Sequence, residues 1–152
     1  MKKILLLLVP VFLLSACATP YQKKGFRGGW SELQLSEDTY QVTYSGNAYT
    51  SQERVSDFAL LRSASLTLDN GYKFFALMSE KEYSQTSVTS TEKGEYSASY
   101  TGTLKYDAKT SYNTISRHNN IYIVKMSNDK PSGLSYNAAL ISKSIKEKYG
   151  IK

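Results

Sequence analysis

The two side chains that most often carry chemistry in proteins, cysteine and histidine, occur once each in this sequence, as Cys17 and His118. His118 stands beside Asn119 and Asn120 in a stretch that predicts a turn, where a histidine is more often solvated than a general base. A Ser–His–Asp or Cys–His site needs further parts, and a zinc site needs several His or Cys ligands. We therefore predict no catalytic residue, no metal site and no bound cofactor, and we do not expect an enzyme.

Carboxylates supply the competing hypothesis. Glu53 and Asp57 are spaced one turn apart on a predicted helix, where they could bind a cation or act as an acid–base pair. They also fit a structural role, because acidic residues stabilise the start of a helix and Arg54 is placed to pair with Asp57. Glu80 and Glu82 would share one face of a strand. A carboxylate-dependent hydrolase is thus the second hypothesis for this chain.

The first sixteen residues predict a secretory signal peptide. Lys2 and Lys3 precede an apolar run of eleven residues, from Ile4 to Leu14. A helix needs about 20 apolar residues to cross a bilayer. The shorter run matches the ~7–15-residue core of a signal peptide, which is removed from the mature protein. Residues 1–16 are therefore left out of the predicted fold.

The apolar run ends in Leu14-Ser15-Ala16-Cys17, which resembles the lipobox of bacterial lipoproteins. The resemblance implies that the thiol of Cys17 receives a diacylglyceryl group, that the chain is cut before Cys17, and that the new amine is acylated, for example by palmitate. Several acyl chains attach a protein stably to a membrane, since each buried CH₂ contributes about 0.8 kcal/mol. An ordinary signal peptide with a stray cysteine after an A-x-A-like site is the alternative.

The lipobox resemblance also implies a compartment, the bacterial cell envelope. Ala18 follows the cysteine where an aspartate would favour the inner membrane, so we expect the outer membrane, with the domain facing the periplasm. Cys17 is the only cysteine, so the mature domain has no disulfide. Membrane lipid, bound through acylated Cys17, is the first predicted partner. Another envelope protein or peptidoglycan is the second, and nucleic acid is not expected.

Length and charge limit the number of domains and the net charge that the mature chain can have. Removal of residues 1–16 leaves 136 of the 152 residues, enough for one domain, and loss of Lys2 and Lys3 lowers the formal charge from +6 to +4. Residues 17–29 contain one proline and three glycines, which predicts a lipidated N-terminus followed by a tether. The basic residues of this segment could bind anionic head groups or could merely keep a linker soluble; they are Lys23, Lys24 and Arg27. The domain itself covers residues 30–152.

Hydrophobic periodicity places the elements of the first half. Residues 30–35 and 39–45 alternate apolar and polar side chains and predict a hairpin, with Tyr40, Val42 and Tyr44 on one face. Residues 50–69 predict a helix that begins with a capping box and ends before Gly71. The box pairs Thr50 with Glu53, the apolar face runs from Val55 to Leu68, and Arg62 falls on that face with its charged head expected in water. Residues 72–82 predict a strand, and a parallel pairing with 39–45 would make a right-handed crossover.

The second half opens with a polar stretch. Residues 84–103 include ten Ser or Thr among twenty, which predicts a flexible excursion or a long solvent-facing hairpin tip. Strands are predicted at 110–117 and 121–126, with a turn at His118–Asn120 between them. Pro131 and Ser132 introduce a last helix that ends at Gly150; its apolar stripe is Leu134, Ala138, Ile141 and Ile145.

These elements predict an α+β fold in a single small domain. The sheet would be antiparallel-rich or mixed, with about five strands. Each helix has one apolar side to bury, so both helices should pack on one face of the sheet.

The segment from Thr19 to Tyr72 resembles a family of small proteobacterial lipoproteins for which no activity is established. The residues that carry the resemblance cover about a third of the chain; they are Thr19-Pro20-Tyr21, Gly25-Phe26, Gly28-Gly29-Trp30-Ser31-Glu32, Gly46-Asn47, Tyr49-Thr50-Ser51, Glu53-Arg54-Val55, Asp57-Phe58-Ala59-Leu60-Leu61-Arg62, Leu66-Thr67-Leu68 and Asn70-Gly71-Tyr72. The resemblance implies the anchor and the fold, transfers no activity, and indicates that Phe26 to Glu32 docks on the domain. We therefore predict a membrane-anchored, non-catalytic binding or structural module.

Overall fold

The computed structural model describes residues 17–98 and 104–152. The predicted signal peptide, residues 1–16, lies outside the described residues, as do residues 99–103 of the Ser/Thr-rich stretch. Contacts divide the chain into two units. The described part of the first runs from residue 17 to Ser84 and from Arg117 to Lys152, and the second is Gln85–Ser116. The fold is α+β, with five antiparallel strands in one open sheet and two helices, which confirms the predicted class.

The predicted N-terminal hairpin is present. Strand β1 (Gly29–Ser36) pairs antiparallel with β2 (Thr39–Ser45), and the two-residue turn between them is Glu37–Asp38. The side chains of β2 alternate between buried and half-buried, as a strand with one core-facing side requires. Tyr40, Val42 and Tyr44 share the buried face, as predicted.

Helix α1 (Gln52–Asp69) corresponds to the helix predicted at 50–69, but its cap differs. The N-cap is Ser51, whose hydroxyl accepts from the backbone N–H of Arg54 at 3.3 Å. The capping box at Thr50 and Glu53 is therefore wrong, and the physical reason is that the Thr50 hydroxyl is buried and bonded elsewhere. Gly71, with φ of 79°, follows the helix as predicted.

The strand order is β1-β2-β4-β3-β5, where β3 is Phe74–Ala98, β4 is Leu104–Ser127 and β5 is Tyr136–Asn137. Strand β4 pairs antiparallel with β2 and lies between β2 and β3. Strands β2 and β3 therefore run in the same direction without pairing, and α1 connects them across β4. The sheet contains no parallel neighbours among its five strands, so the mixed alternative is wrong.

The turn predicted at His118–Asn120 is wrong, because these residues continue β4. Asn119 lies opposite Ser45 and Asn120 lies opposite Tyr44. A tight hairpin there would need positive φ angles, and no described non-glycine residue has one. Asn120 is instead fully buried and uses its amide in hydrogen bonds described below.

Helix α2 (Ala138–Tyr149) begins later than predicted. Its N-cap is Asn137, whose side chain accepts from the N–H of Leu140, because Tyr136 and Asn137 first pair with β3 as strand β5. Leu134 lies before the helix and is exposed, so it does not belong to the apolar stripe. Gly150 ends the helix in the left-handed conformation, with φ of 63°, as predicted.

One hydrophobic core joins the sheet to both helices. The strands contribute Tyr40, Val42, Tyr44, Phe75, Tyr122, Val124 and Met126, and the helices contribute Val55, Phe58, Ala59, Leu61, Ala64, Leu66, Ala138 and Ile145. Leu68 is exposed, so the predicted apolar face of α1 ends at Leu66, two residues earlier than expected. The helices cover one face of the sheet, which leaves Leu33 of β1, on the other face, exposed.

The second unit consists of the distal parts of β3 and β4, which we call the arm (residues 85–98 and 104–116). The hydroxyls of Thr86 and Ser116 lie 3.3 Å apart, and Ser111 donates to the carbonyl of Thr91 at 3.4 Å. From the first of these contacts to the second, β3 moves forward by five residues and β4 moves back by five. This is the register of an antiparallel ladder. The described side chains of the arm are exposed, apart from the half-buried Ser116.

Candidate functional site

Cys17, the residue that the sequence predicts to carry lipid, is exposed. Its carbonyl accepts a hydrogen bond from the side-chain amide of Asn47 at 2.7 Å. Asn47 lies between the end of β2 and the start of α1. The chain is therefore bound to the domain at Cys17 itself, while the residue stays accessible.

Thr19 fixes the chain two residues further on, where it is fully buried. Its N–H donates to Oγ1 of Thr50 at 2.9 Å, and its hydroxyl donates to the carbonyl of Arg27 at 2.8 Å. The same hydroxyl oxygen accepts from the N–H of Asn47 at 2.9 Å. Oγ1 of Thr50 shares its single proton between Thr19 Oγ1 at 3.0 Å and Asn47 Oδ1 at 2.8 Å. A buried threonine in this position leaves none of these polar groups without a partner.

Aromatic packing extends the docked segment. The hydroxyl of Tyr44 donates to the carbonyl of Pro20 at 2.8 Å, and the ring of Tyr21 packs edge-on against Phe58 with 5.6 Å between centroids. Burial raises the pKa of Tyr44 and of Tyr21 above the ordinary tyrosine value. Since Thr19 to Tyr21 lie on the domain, the free tether predicted for residues 17–29 is wrong for this part of the chain.

A tight turn follows the docked residues. Gly25 and Gly28 exchange two backbone hydrogen bonds of 3.1 Å, so Phe26 and Arg27 form the tip between them. Gly28 and Gly29 have φ of 94° and 124°, and a Cβ on Gly29 would collide with the carbonyl of Gln22. Both positions therefore require glycine. Phe26 is 107% exposed, so it does not dock on the domain as the family resemblance implies.

Trp30 and Glu32, which the same resemblance predicts to dock, do so through Arg62 of α1. The guanidinium of Arg62 binds both carboxylate oxygens of Glu32, at 2.7 and 3.0 Å, and lies 4.0 Å from the centroid of the Trp30 ring. Burial would lower the pKa of Arg62, but the hydrogen bonds and charge of Glu32 outweigh it and raise that pKa. Only 14% of the Arg62 side chain is exposed, and its charged head is held by Glu32 and Trp30.

A second polar cluster, which we call the Asn120 network, lies where α1 meets β3 and β4. The Asn120 carbonyl oxygen accepts from Gln52 at 2.7 Å, and its amide nitrogen contacts the Ser56 hydroxyl at 2.7 Å and Glu82 at 3.2 Å. The amide also donates to the hydroxyl of Tyr122 at 3.2 Å. Burial raises the pKa of Tyr122 to about 12, and the bond from Asn120 lowers it only in part. Sequence patterns give no signal for this network, since an asparagine in a strand predicts a turn.

The carboxylates of α1 bind α2. Lys148 donates to Glu53 at 2.6 Å and to Asp57 at 2.7 Å, and the hydroxyl of Tyr149 donates to Asp57 at 2.7 Å. Asp57 and Glu53 raise the pKa of Lys148. Arg54 lies instead over the ring of Tyr149, 5.3 Å from its centroid, so the predicted Arg54–Asp57 pair is wrong. Glu53 and Asp57 are thus brought together, but around a lysine rather than an open space.

Glu80 and Glu82 both lie on β3 near the Asn120 network. The Ser56 hydroxyl donates to Glu82 at 3.1 Å and also contacts the carbonyl of Gln52 at 3.1 Å, the usual bond of a serine inside a helix. Glu80 interacts with the hydroxyl of Tyr122 and raises its pKa. Both carboxylates serve a hydrogen-bond network that joins three elements.

The described residues hold neither a metal-binding cluster nor a membrane-spanning helix. Residues 17–98 and 104–152 contain no group of three or more His, Cys, Asp and Glu side chains placed to hold a metal ion. Neither described helix has the length and apolarity that crossing a membrane requires. His118 is half-buried in β4, and its carbonyl accepts from the N–H of Gly46 at 2.9 Å.

No protein-family model, no curated protein and no solved structure matches this chain.

Proposed function

We propose that this chain is an envelope lipoprotein of the proteobacterial family that it resembles. In this proposal residues 1–16 are removed, Cys17 is acylated, and the domain faces the periplasm from the outer membrane as a non-catalytic binding module. The sequence Leu14-Ser15-Ala16-Cys17 and the single cysteine support the anchor. The proposed partners are membrane lipid at Cys17 and another envelope protein or peptidoglycan at the domain.

One observation carries the anchor: the chain is bound to the domain from Cys17 onward. Thr19 is fully buried and bound on all sides, whereas Cys17 is exposed. Acyl chains on Cys17 would leave the domain with no spacer, so the first folded residues would lie at the head-group level. Cys17 is exposed, as acylation of its thiol requires.

The charged side chains support a structural role over a catalytic one. Glu53 and Asp57 bind Lys148, and Glu32 binds Arg62. Each of these contacts joins two different elements of the fold. A catalytic carboxylate needs access to a substrate and an environment that tunes its pKa, and a carboxylate held in an ion pair is poorly suited to either task.

The arm supports binding to another protein. Among the described strands, β2 pairs with residues 119–125 of β4 and β5 pairs with Phe74 and Phe75 of β3. The outer edges of the arm, residues 85–98 and 104–116, therefore have no described strand beside them. Such edges present unpaired backbone groups that can accept an extended segment of a partner.

Metabolic labelling tests the anchor. Cells that express the wild-type chain are grown with labelled palmitate, and the label on the protein is measured. We expect label on the wild type and on Ser15→Ala, which keeps a small residue in the lipobox, and none on Cys17→Ser. An unlabelled wild type, or a mature N-terminus other than Cys17, would overturn the proposal.

Site-specific photo-crosslinking in cell envelopes tests the binding role. The crosslinker replaces Val88 on the arm or Leu140 on α2, two apolar residues with matched exposure, 62% and 63%. We expect adducts with a specific envelope protein from position 88 and not from position 140. Absence of adducts at position 88 would contradict binding through the arm.

A peptidoglycan assay separates the module from the hydrolase hypothesis. Purified protein is incubated with isolated peptidoglycan, and the soluble fragments are measured. We expect no release of fragments. Release that Glu82→Gln abolishes, and that Glu92→Gln on the arm does not, would show a carboxylate-dependent hydrolase and overturn the non-catalytic role.

A further inference from the structure

We propose that the turn Lys23–Gly28, here called the contact turn, is a second membrane-binding element beside Cys17. Phe26 enters the interfacial region of the bilayer, and the lysines before it lie against anionic head groups. This inference rests on the proposed lipid anchor, because the acyl chains bring the contact turn to the membrane. The partner is an anionic lipid surface.

The contact turn lies beside the anchor in the fold. The hydroxyl of Thr19 donates to the carbonyl of Arg27 at 2.8 Å, which binds the tip of the turn to a residue two positions after Cys17. Asn47 donates to the carbonyl of Cys17, and the N–H of Tyr49 donates to Asn47 at 3.0 Å. Phe26 is therefore next to Arg27, which binds Thr19, and Tyr49 is bonded to Asn47, which binds Cys17.

Both aromatic rings are turned to solvent. Phe26 is 107% exposed and Tyr49 is 74% exposed, whereas Tyr21, between the anchor and the turn, packs on the core. Water is an unfavourable place for an uncovered phenyl ring, and transfer of the ring to an apolar environment is favourable. Tyrosine is enriched at the membrane–water interface, where its ring is buried and its hydroxyl stays wet. Lipid is therefore a suitable environment for both rings.

The turn holds Phe26 in place rather than letting it collapse onto the domain. Two reciprocal hydrogen bonds between Gly25 and Gly28 close it, and the backbone of Lys24 donates to the carbonyl of Trp30. The positive φ of Gly28 and Gly29 fixes the direction in which the turn leaves the sheet. A rigid turn loses little conformational entropy when its tip is buried.

The positive charge of the contact turn also favours an anionic lipid surface. Lys23 and Lys24 are exposed at the start of the contact turn. A lysine near an anionic leaflet strengthens binding to that leaflet. The lysines therefore complement the anionic head groups at the level where Phe26 would leave water.

Quenching of tryptophan fluorescence by brominated lipid tests the insertion in the acylated protein. The acylated full chain is placed in vesicles with Phe26→Trp, or with Leu140→Trp as the matched control on α2. Trp30 contributes the same background fluorescence to both variants. We expect brominated lipid to quench the fluorescence added at position 26 and not that added at position 140. Equal quenching at both positions would overturn the proposal.

Vesicle binding without the acyl chains gives an independent test. In the Cys17→Ser chain, binding to vesicles that contain phosphatidylglycerol is compared with and without Phe26→Ser. We expect Phe26→Ser to weaken binding about tenfold or more, which corresponds to the loss of one buried phenyl ring. Leu140→Ser should have no effect, and vesicles of neutral lipid should bind less. Circular dichroism confirms that each variant is folded.

The outcomes separate the two proposals. Palmitate label on the wild type together with unchanged binding of Phe26→Ser would overturn the contact turn and leave the lipoprotein proposal in place. Absence of label together with binding that depends on Phe26 would overturn the anchor and keep the turn as a lipid-binding element.

Discussion

The backbone N–H of Thr19 donates to the hydroxyl of Thr50, 2.9 Å away, in a site closed to solvent. The two residues are 31 positions apart, so the bond joins the start of the described chain to the start of α1. The composition of residues 17–29 predicts a linker that would let the domain move. Here the same segment is part of the fold, and the properties of the domain should depend on it.

Replacement of Thr19 by valine tests that dependence. Valine has the shape of threonine but leaves the N–H of Asn47 and the carbonyl of Arg27, both part-buried, without their partner. We expect the free energy of unfolding to fall by about 2 kcal/mol. Urea denaturation measures the change. Thr43→Val, on the half-buried opposite face of β2, should change stability by less than about 0.5 kcal/mol, and equal losses would contradict the role of Thr19.

Alanine at Gly29 should release the contact turn. The substitution forces a side chain into a positive φ and into the carbonyl of Gln22, so strain and collision add. We expect trypsin to cleave after Lys23 and Lys24 several-fold faster than in the wild type. Gly133→Ala is the control, since its φ is also positive at 106° but a Cβ there meets nothing. The same acceleration in both variants would show that strain alone explains the effect.

Arg62→Lys should weaken the junction between β1 and α1. Lysine cannot bind both oxygens of Glu32 or lie flat on the Trp30 ring, and we expect a loss of about 1–2 kcal/mol in the free energy of unfolding. Trp30 is the single tryptophan, so its fluorescence emission should shift at the same time. Arg117→Lys, which changes an exposed residue of β4, should leave the emission of Trp30 unchanged. An unchanged emission in Arg62→Lys would contradict the stacked geometry.

The free energy of unfolding should fall at alkaline pH because Tyr122 ionises more readily in the unfolded chain. In the unfolded chain a tyrosine ionises near pH 10, whereas burial raises the pKa of folded Tyr122 to about 12. The unfolded state therefore loses its proton first, and the contribution of Tyr122 to stability is complete below about pH 10 and lost as the pH rises to about 12. Urea denaturation across this interval should show a fall that Tyr122→Phe makes shallower.

A core substitution next to Tyr122 controls for general destabilisation. Val124→Ala leaves the titratable groups unchanged, so it should lower the free energy of unfolding by a similar amount at every pH. If the free energy of unfolding of Tyr122→Phe falls with pH as steeply as that of the wild type, the alkaline loss of stability does not come from Tyr122.

Local patterns predicted the elements whose partners are close in sequence. The alternation of Tyr40, Val42 and Tyr44 was sufficient for the hairpin, because the two-residue turn brings β1 directly back along β2. The body of α1 followed from its helical periodicity, and Gly71 and Gly150 marked the helix ends. These signals act over a few residues, and the structure agrees with them.

The errors concern residues whose partners are distant. Thr50 and Ser51 are adjacent and equally good caps, and the choice between them is made by Thr19, which occupies the Thr50 hydroxyl. Asn120 stays in a strand because α1 and β3 supply acceptors and a donor for its amide. The exposure of Phe26 is likewise a tertiary property, since sequence gives no rule for which aromatic residue the core leaves uncovered.

The strand order has a consequence for how the chain is made. Strand β4 lies in the middle of the sheet but ends at Ser127, late in the chain. A nascent protein emerges from its N-terminus at about 5–20 residues per second. For several seconds β2 and β3 therefore exist without the strand that lies between them, and the N–H of Gly46, beside Asn47, lacks its acceptor, the carbonyl of His118. We therefore expect the site that binds Thr19 to reach its final form only after β4 has been made.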